Sequence, residues 1–131
     1  MKSLKNNFIS YIQNQKFGIY YLPARYQYVI LRDYYKKYNQ IFTLPQGEPI
    51  FTNKNIKLRS LINKLNSDKE LVLLSIYILP SNLKLRNEIL KILIKKKIKT
   101  HFIFENIFAN NKKQYSYVSD IIKLDEFLNK N

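Results

Sequence analysis

Two apolar runs separated by a basic, helix-patterned stretch dominate the pattern of this chain. Residues 71–79 form an almost continuous apolar run that ends at Pro80-Ser81-Asn82, and residues 100–104 form a second run that ends at Glu105-Asn106. Between them, residues 83–97 place apolar side chains at helical spacing. A strand, a crossover helix and a strand in that order predict a βαβ unit whose two strands are parallel and adjacent. Because ligands bind beyond the carboxyl ends of parallel strands, this unit also indicates where to look for a site.

The rest of the chain predicts two further strands and three further helices. Residues 17–22, rich in aromatic and β-branched side chains, predict strand 1, and residues 40–44 predict strand 2. Apolar spacing predicts helix 1 over residues 24–38, a second helix capped by Asn55 and a last helix that starts at Ser119-Asp120. The strongest loop signal is the stretch 45–49, which contains two prolines and a glycine.

The alternation of strands and helices predicts a single α/β domain over residues 1–131. Right-handed crossovers must cover both faces of a parallel sheet, so we expect a three-layer sandwich with a four-stranded, mostly parallel sheet. Strands 3 and 4 should lie in its centre because they are apolar almost throughout. Residues 1–15 are expected to form an arm or a short helix, and residues 109–131 a loop followed by the C-terminal helix.

The charge of the chain is strongly positive. It carries 23 Lys and Arg against 9 Asp and Glu, which gives a net charge of +14. Such a charge attracts polyanions: nucleic acid, an anionic membrane surface or phosphorylated ligands. Only four of the 23 cations are Arg, the residue that phosphate and base recognition favours. We therefore favour a solvated Lys-rich surface and retain nucleic acid as a less favoured partner.

Several classes of chemistry are excluded by missing residue types. The chain has no Cys, which excludes disulfides, thiolate metal sites and a Cys nucleophile. Its one His, His101, is interpreted as a core or subunit-contact residue. No dinucleotide fingerprint or P-loop is present, so we predict neither a cofactor nor a metal site. The first residues lack the apolar stretch of a signal peptide, and no run approaches the roughly 18 apolar residues of a membrane span, which predicts a cytoplasmic protein.

Polar residues that follow the predicted strands should meet at one rim of the sheet. Glu105 is the candidate catalytic acid or base, and we expect it to lie beside Arg86, the candidate anion clamp. The other candidate ligand contacts on this rim are Arg25, Gln46, Glu48, Ser81, Asn82 and Asn106. Alternatives stay open: Ser81 and Asn82 as helix caps alone, Glu105 as an acceptor for loop N–H groups, and Arg25 as a solvated cation.

Seven of the eleven tyrosines lie between positions 20 and 38. They predict either a stacking platform for single-stranded nucleic acid or sugar rings, or a core and subunit interface. We favour the second interpretation, because helix 1 carries more aromatic surface than one core-facing stripe can bury. A homo-oligomer formed through the Tyr-rich helix 1 is therefore expected.

The residues after strands 1, 3 and 4 resemble those of the sporadic carbohydrate cluster protein family. The pattern comprises Leu22-Pro23-Ala24-Arg25, residues 75–80, Arg86, and residues 100–106. These are small bacterial proteins encoded among genes for surface polysaccharide biosynthesis, and the resemblance covers residues 17–107. It implies a pathway rather than a reaction: an accessory or small-ligand-binding protein, with an anionic sugar or nucleotide sugar as ligand. If the protein is an enzyme, it acts on a sugar or sugar nucleotide.

The element order is also similar to that of the serine recombinase catalytic domain, so the fold is expected to be resolvase-like or flavodoxin-like. Recombinases carry a Ser close to an Arg after strand 1, whereas residues 23–28 of this chain hold no Ser, Thr or Cys. The helix after strand 3 carries Arg86 as its single Arg. The alternative function is therefore a nucleic-acid-binding relic of this fold that lacks recombinase chemistry.

Overall fold

The structure is a computed structural model that describes residues 4–48 and 56–129. Within these residues the strands are β1 (Phe8–Gln13), β2 (Gln46–Glu48), β3 (Glu70–Leu73), β4 (Lys99–Phe102) and β5 (Ile107–Ala109). The helices are α1 (Ala24–Lys37), α2 (Ile56–Lys64), α3 (Leu83–Lys96) and α4 (Lys112–Leu128), and a 3₁₀ turn spans Ile76–Ile78.

The strands form one mostly parallel sheet in the order β2-β1-β3-β4-β5. Strand β1 is parallel to β2 and β3, β3 is parallel to β4, and β5 returns antiparallel to β4. Strands β1, β3, β4 and β5 pair in succession, and the three-residue β2 adds an edge strand beside β1. The α/β class is confirmed, and so is the parallel β3-α3-β4 unit.

Helices cover both faces of the sheet, as a three-layer sandwich requires. On one face, Tyr35 of α1 donates a hydrogen bond to Ser10 Oγ at 3.0 Å, and Tyr34 contacts His101 of β4. Side chains alternate along a strand, so Thr100 points to the opposite face, where its hydroxyl lies 2.8 Å from the Tyr115 hydroxyl of α4. Helices α2, α3 and α4 contact one another in succession on that second face.

The first strand is not where the sequence pattern placed it. The prediction of a strand over residues 17–22 and of an arm or short helix over residues 1–15 is wrong, because β1 is Phe8–Gln13. Residues 17–20 instead form a tight turn in which Phe17 and Tyr20 pair. One polar residue, Ser10, interrupts the apolar residues of β1, and it is buried with its hydroxyl hydrogen-bonded by Tyr35.

The other element boundaries also shift. Strand β2 lies within the stretch 45–49 that was predicted as a loop, whereas Gln40 forms only an isolated bridge with Lys5. Strand β3 ends at Leu73 and β4 ends at Phe102, both earlier than predicted, and residues 103–106 form the turn into β5. The predicted cap Asn55 lies outside the described residues.

Helix α4 begins at Lys112 rather than at Ser119-Asp120, with Asn111 as its N-cap. The Asn111 side chain accepts a hydrogen bond from the Gln114 amide at 2.9 Å. Within the described part of the chain, no helix combines the length and apolar character needed to cross a membrane.

Candidate functional site

A cavity of about 390 Å³ lies at the carboxyl ends of β1 and β3. These neighbouring strands are followed by connections that leave in opposite directions, β1 toward the edge strand β2 and β3 toward β4. In sheets of this order, that divergence is the topological switch point where ligands bind. On the β1 side the cavity is lined by Gln13, the last residue of β1, and by residues 15–18. On the β3 side it is lined by residues 77–82. Leu85 of α3 and Ile122, Asp125 and Glu126 of α4 complete the lining.

The wall after β1 is held by a buried amide of α1. Gln27 Nε2 donates to the carbonyl oxygens of Gln13 and Leu22, each at 2.7 Å, and Gln27 Oε1 accepts from the Gln13 amide at 3.3 Å. Gly18 has a φ of 62°, and a Cβ at this position would lie 2.8 Å from Tyr77 Cγ. Only glycine therefore lets this wall lie against the Tyr77 ring.

The wall after β3 is anchored by Glu105. Ser75 Oγ donates to Glu105 Oε2 at 2.6 Å, and the Ile76 amide donates to Glu105 Oε1 at 2.9 Å. The Ser75 hydroxyl in turn accepts from the Tyr77 amide at 3.2 Å. Glu105 thus occupies the position of an acceptor for loop N–H groups, and it is not among the residues that line the cavity.

Burial raises the pKa of the Tyr77 hydroxyl, and the nearby Asp125 carboxylate raises it further. This hydroxyl therefore stays protonated near neutral pH.

Arg86 lies behind the cavity rather than in it. Its side chain is fully buried, with Nη1 donating to the Pro80 and Ser81 carbonyl oxygens at 3.0 and 3.2 Å and Nε donating to Ser119 Oγ at 3.2 Å. Its nearest carboxylate is Glu126, at 3.8 Å, and not Glu105. Burial lowers the pKa of the Arg86 guanidinium, and the Glu126 charge opposes that effect. Arg86 thus fixes the loop that forms the cavity wall.

One polar atom in the cavity wall is buried without a hydrogen-bond partner: Oε1 of Gln13. Nη2 of Arg86, behind the wall, is also unpaired, although Nη1 of the same guanidinium bonds to the lining residues Pro80 and Ser81. Among the described side chains these are the two buried nitrogen or oxygen atoms left unsatisfied. Folded proteins satisfy nearly all such atoms, and Gln13 Oε1 is therefore an acceptor available to a hydrogen-bond donor in the cavity.

The remaining predicted site residues are spread around the sheet rim. Ser81 and Asn82 line the cavity, and Asn82 is also the N-cap of α3, accepting from the Leu85 amide at 2.9 Å. Arg25 is exposed and lies over the Tyr26 ring, 4.9 Å from its centroid. Asn106 is exposed in the β4–β5 turn with a φ of 55°. Gln46 and Glu48 lie in β2, and the register of β1 and β2 pairs Glu48 with Gln13.

The cavity combines amides, two carboxylates, one ammonium group and an aromatic ring. Gln13, Gln15 and Asn82 supply the amides, Asp125 and Glu126 the carboxylates, and the exposed Lys16 the ammonium group. Amides and carboxylates hydrogen-bond hydroxyl groups, and the Tyr77 ring offers an apolar surface for stacking. With two carboxylates in the wall and Arg86 turned into the core, the chemistry suits a polyhydroxylated ligand better than a bare anion. In the described part of the chain, no three His, Asp or Glu side chains gather as metal ligands.

The sequence analysis missed Gln13, Lys16, Asp125 and Glu126. The misplaced first strand hid the polar run 13–16, which begins at the last residue of β1. Asp125 and Glu126 reach the cavity only through the packing of α4 on α3, which no local pattern indicates.

The sequence analysis also missed a partly buried series of hydrogen-bonded side chains, Tyr34, His101 and Glu70, on the face of the sheet that α1 covers. Tyr34 Oη lies 2.7 Å from His101 Nδ1, and His101 Nε2 lies 2.7 Å from Glu70 Oε1. A carboxylate only accepts hydrogen bonds, so His101 carries its proton on Nε2 and its Nδ1 accepts from Tyr34. His101 is buried among the rings of Phe8, Tyr34, Tyr38 and Phe108. None of these groups lines the cavity at the switch point.

No protein-family model, no curated protein and no solved structure matches this chain. The resemblances to sporadic carbohydrate cluster proteins and to serine recombinases therefore stay predictions.

Proposed function

We propose that this protein binds a sugar, or the sugar part of a nucleotide sugar, in the cavity at the β1–β3 switch point. The observation that carries the proposal is the unpaired buried acceptor Gln13 Oε1 in the wall of a cavity at this position. A volume of about 390 Å³ is in the range that small-molecule sites occupy.

The ligand class follows from the lining. Sugar hydroxyls both donate and accept hydrogen bonds, which matches a wall that holds amides, carboxylates and an ammonium group. Lys16 is the exposed cation of this wall and is placed to contact a phosphate attached to the sugar. This proposal retains the accessory role in bacterial surface carbohydrate biosynthesis that the sequence resemblance implies, in the cytoplasm.

Glu105 was the candidate catalytic residue, but it does not line the cavity. Both of its carboxylate oxygens accept hydrogen bonds from Ser75 and Ile76, so we do not assign it a role on the ligand. Binding without chemistry is the simpler function for this site.

We retain the proposal that the protein forms a homo-oligomer through α1, whose outer face exposes Tyr26, Tyr28 and Val29. The α1 tyrosines 34, 35 and 38 are not part of that face, because they pack with Phe8 or the His101 ring inside the protein.

The test is calorimetric titration with a panel of monosaccharides, nucleotide sugars and the matching free nucleotides. Gln13→Met replaces the unsatisfied amide with a side chain of similar shape. We expect it to weaken ligand binding about tenfold, or about 1.4 kcal/mol, while leaving the free energy of unfolding unchanged or higher because an unpaired buried acceptor is removed. Glu126→Gln should also weaken binding.

Two matched controls identify a structural effect. Gln40→Met removes a buried amide whose Oε1 accepts from the Asn7 backbone at 2.9 Å, so it should lower stability without changing binding. Glu88→Gln alters a carboxylate as exposed as Glu126, 43% against 44%, and should leave binding unchanged. Failure of the whole panel to bind, or equal affinity for the Gln13→Met variant, would contradict the proposal.

The alternative function, nucleic-acid binding, is tested in the same titrations with a single-stranded oligonucleotide. It requires an affinity that falls steeply with salt and is unaffected by Gln13→Met.

A further inference from the structure

Helix α4 is apolar on two opposite sides. Its inner side packs on the protein through the buried residues Tyr115, Val118 and Ile122. Its outer side carries an apolar strip, which we call the α4 strip: Tyr117, Leu124, Phe127 and Leu128. These side chains are 55–70% exposed. A helix with apolar residues on both sides is normally covered on both, and an exposed apolar patch with a polar border marks an interaction surface.

Lysines border the α4 strip on the side that faces α3. Lys91, Lys112 and Lys123 line the groove between α3 and α4, and Lys113 lies with Tyr117, Ile121 and Leu124 at the start of the strip. We call these four residues the lysine rim. Asp120 is the acidic residue within it. The last-turn acids Asp125 and Glu126 lie on the other side of the helix, where they line the cavity.

Charge decides between the candidate occupants of this surface. A second copy that docked through its own α4 strip would bring another lysine rim against the first, which opposes self-association at this surface at low salt. An anionic bilayer is attracted by the same charge, and each lysine near such a surface contributes to binding. Apolar side chains next to lysines on an exposed helix are the combination that inserts into the headgroup region of a bilayer.

We propose that the α4 strip and the lysine rim form a docking surface for an anionic lipid bilayer. In this arrangement α4 lies in the plane of the membrane surface, with Leu124, Phe127 and Leu128 among the acyl chains and the lysines at the phosphates. The proposal is independent of the ligand in the cavity, because the two surfaces use different sides of α4.

The test is co-sedimentation of the protein with vesicles of phosphatidylcholine containing about 30% phosphatidylglycerol, against vesicles of phosphatidylcholine alone. At low salt we expect binding to the anionic vesicles only, and weaker binding at about 0.5 M NaCl, where charges are screened within about 4 Å. The double variant Leu124→Ser/Phe127→Ser should reduce the partition coefficient at least about tenfold. Lys113→Gln/Lys123→Gln should reduce it about fivefold for each lysine.

Matched variants near α1, on the other face of the sheet from α4, serve as controls. Ile41→Ser/Leu44→Ser removes two exposed apolar side chains that follow α1, and Lys36→Gln/Lys37→Gln removes two exposed lysines from α1. The apolar control should leave the partition coefficient unchanged. The lysine control should lower it only by the effect of the reduced net charge. All four variants alter exposed residues, so circular dichroism should show that each one folds.

Three results would overturn the proposal. Equal binding of the Leu124→Ser/Phe127→Ser variant would show that attraction is electrostatic alone. Equal loss in the α1 lysine control would show that position does not matter. Dimerisation through α4, seen by sedimentation velocity and abolished by Leu124→Ser/Phe127→Ser, would assign the strip to a second copy.

Discussion

At the scale of one residue, Glu105 shows how a carboxylate near a predicted site can hold a loop in place instead of contacting a ligand. Two polar residues after a buried strand suggested a catalytic position, and the structure gives both oxygens of Glu105 to Ser75 and Ile76. These bonds hold the turn at Ile76–Ile78, which begins the cavity wall.

Replacing Glu105 by Ala should therefore lower the free energy of unfolding by about 2 kcal/mol, because the buried Ile76 amide loses its partner. Glu105→Gln should cost less, since the amide oxygen still accepts from Ile76. Urea denaturation measures both, with Glu88→Ala as the control, whose ion pair with Arg59 at 3.5 Å is exposed and should contribute less than about 1 kcal/mol. Unchanged stability of Glu105→Ala together with lost sugar binding would instead restore Glu105 as a site residue.

His101 leads to a prediction about pH. Burial lowers the pKa of its imidazole below the usual value of 6.5, and the hydrogen bond to Glu70 only partly offsets this. The unfolded chain therefore binds this proton more tightly than the folded protein does. The contribution to stability is complete above the unfolded pKa near 6.5 and is lost as the pH falls from there through the lowered folded value.

Since the chain has one His, its imidazole proton signals in an NMR titration report this residue alone. We expect a pKa below 6.5, and a fall in the urea midpoint between about pH 7.5 and 5.5 that is smaller in His101→Gln. A measured pKa above 6.5 would mean that Glu70 outweighs burial.

At the scale of elements, α3 is the part of the molecule that local rules describe best. Its apolar spacing predicts residues 83–97, and the structure places it at Leu83–Lys96 with Asn82 as the N-cap. Its C-cap, Lys97, has a φ of 58° in the left-handed region, where glycine is the residue usually found. The lysine charge is favourable at the negative C-terminal end of the helix. The left-handed backbone conformation is unfavourable for a residue with a Cβ atom.

Lys97→Gly should therefore raise the free energy of unfolding by up to about 1 kcal/mol. The control is Lys91→Gly, an exposed lysine inside the same helix, which should lower it by about 1 kcal/mol. Thermal and urea unfolding measure both variants. A loss of stability in Lys97→Gly would show that the side chain of Lys97 matters more than its backbone strain.

For the whole molecule, the net charge of +14 is the property with the widest effect. Most lysines lie on the surface, where like charges repel one another and oppose the compact state. Added salt screens that repulsion, because the Debye length falls from about 20 Å at 20 mM to about 4 Å at 500 mM.

Raising NaCl over this range should therefore stabilise the protein by on the order of 1 kcal/mol, or a rise in melting temperature of about 4 °C. A variant with Lys36, Lys37 and Lys95 changed to Gln should show a smaller salt effect. A melting temperature that falls with salt would indicate that specific ion pairs outweigh the net repulsion.

Local sequence determined α1, α3 and the parallel pairing of β3 with β4, because each depends on periodicity or on the length of one connection. It also indicated Ser81 and Asn82 at the cavity, since a helix cap follows a buried strand there. Strand β1 depends instead on a contact far along the chain: Ser10 is a core residue only because the Tyr35 hydroxyl meets it. The cavity itself was decided by tertiary structure alone, because its lining residues Gln13, Leu85 and Glu126 come from three separate elements. No local pattern specifies which way α4 packs on α3, and that packing decides both the wall of the cavity and which side of α4 stays exposed.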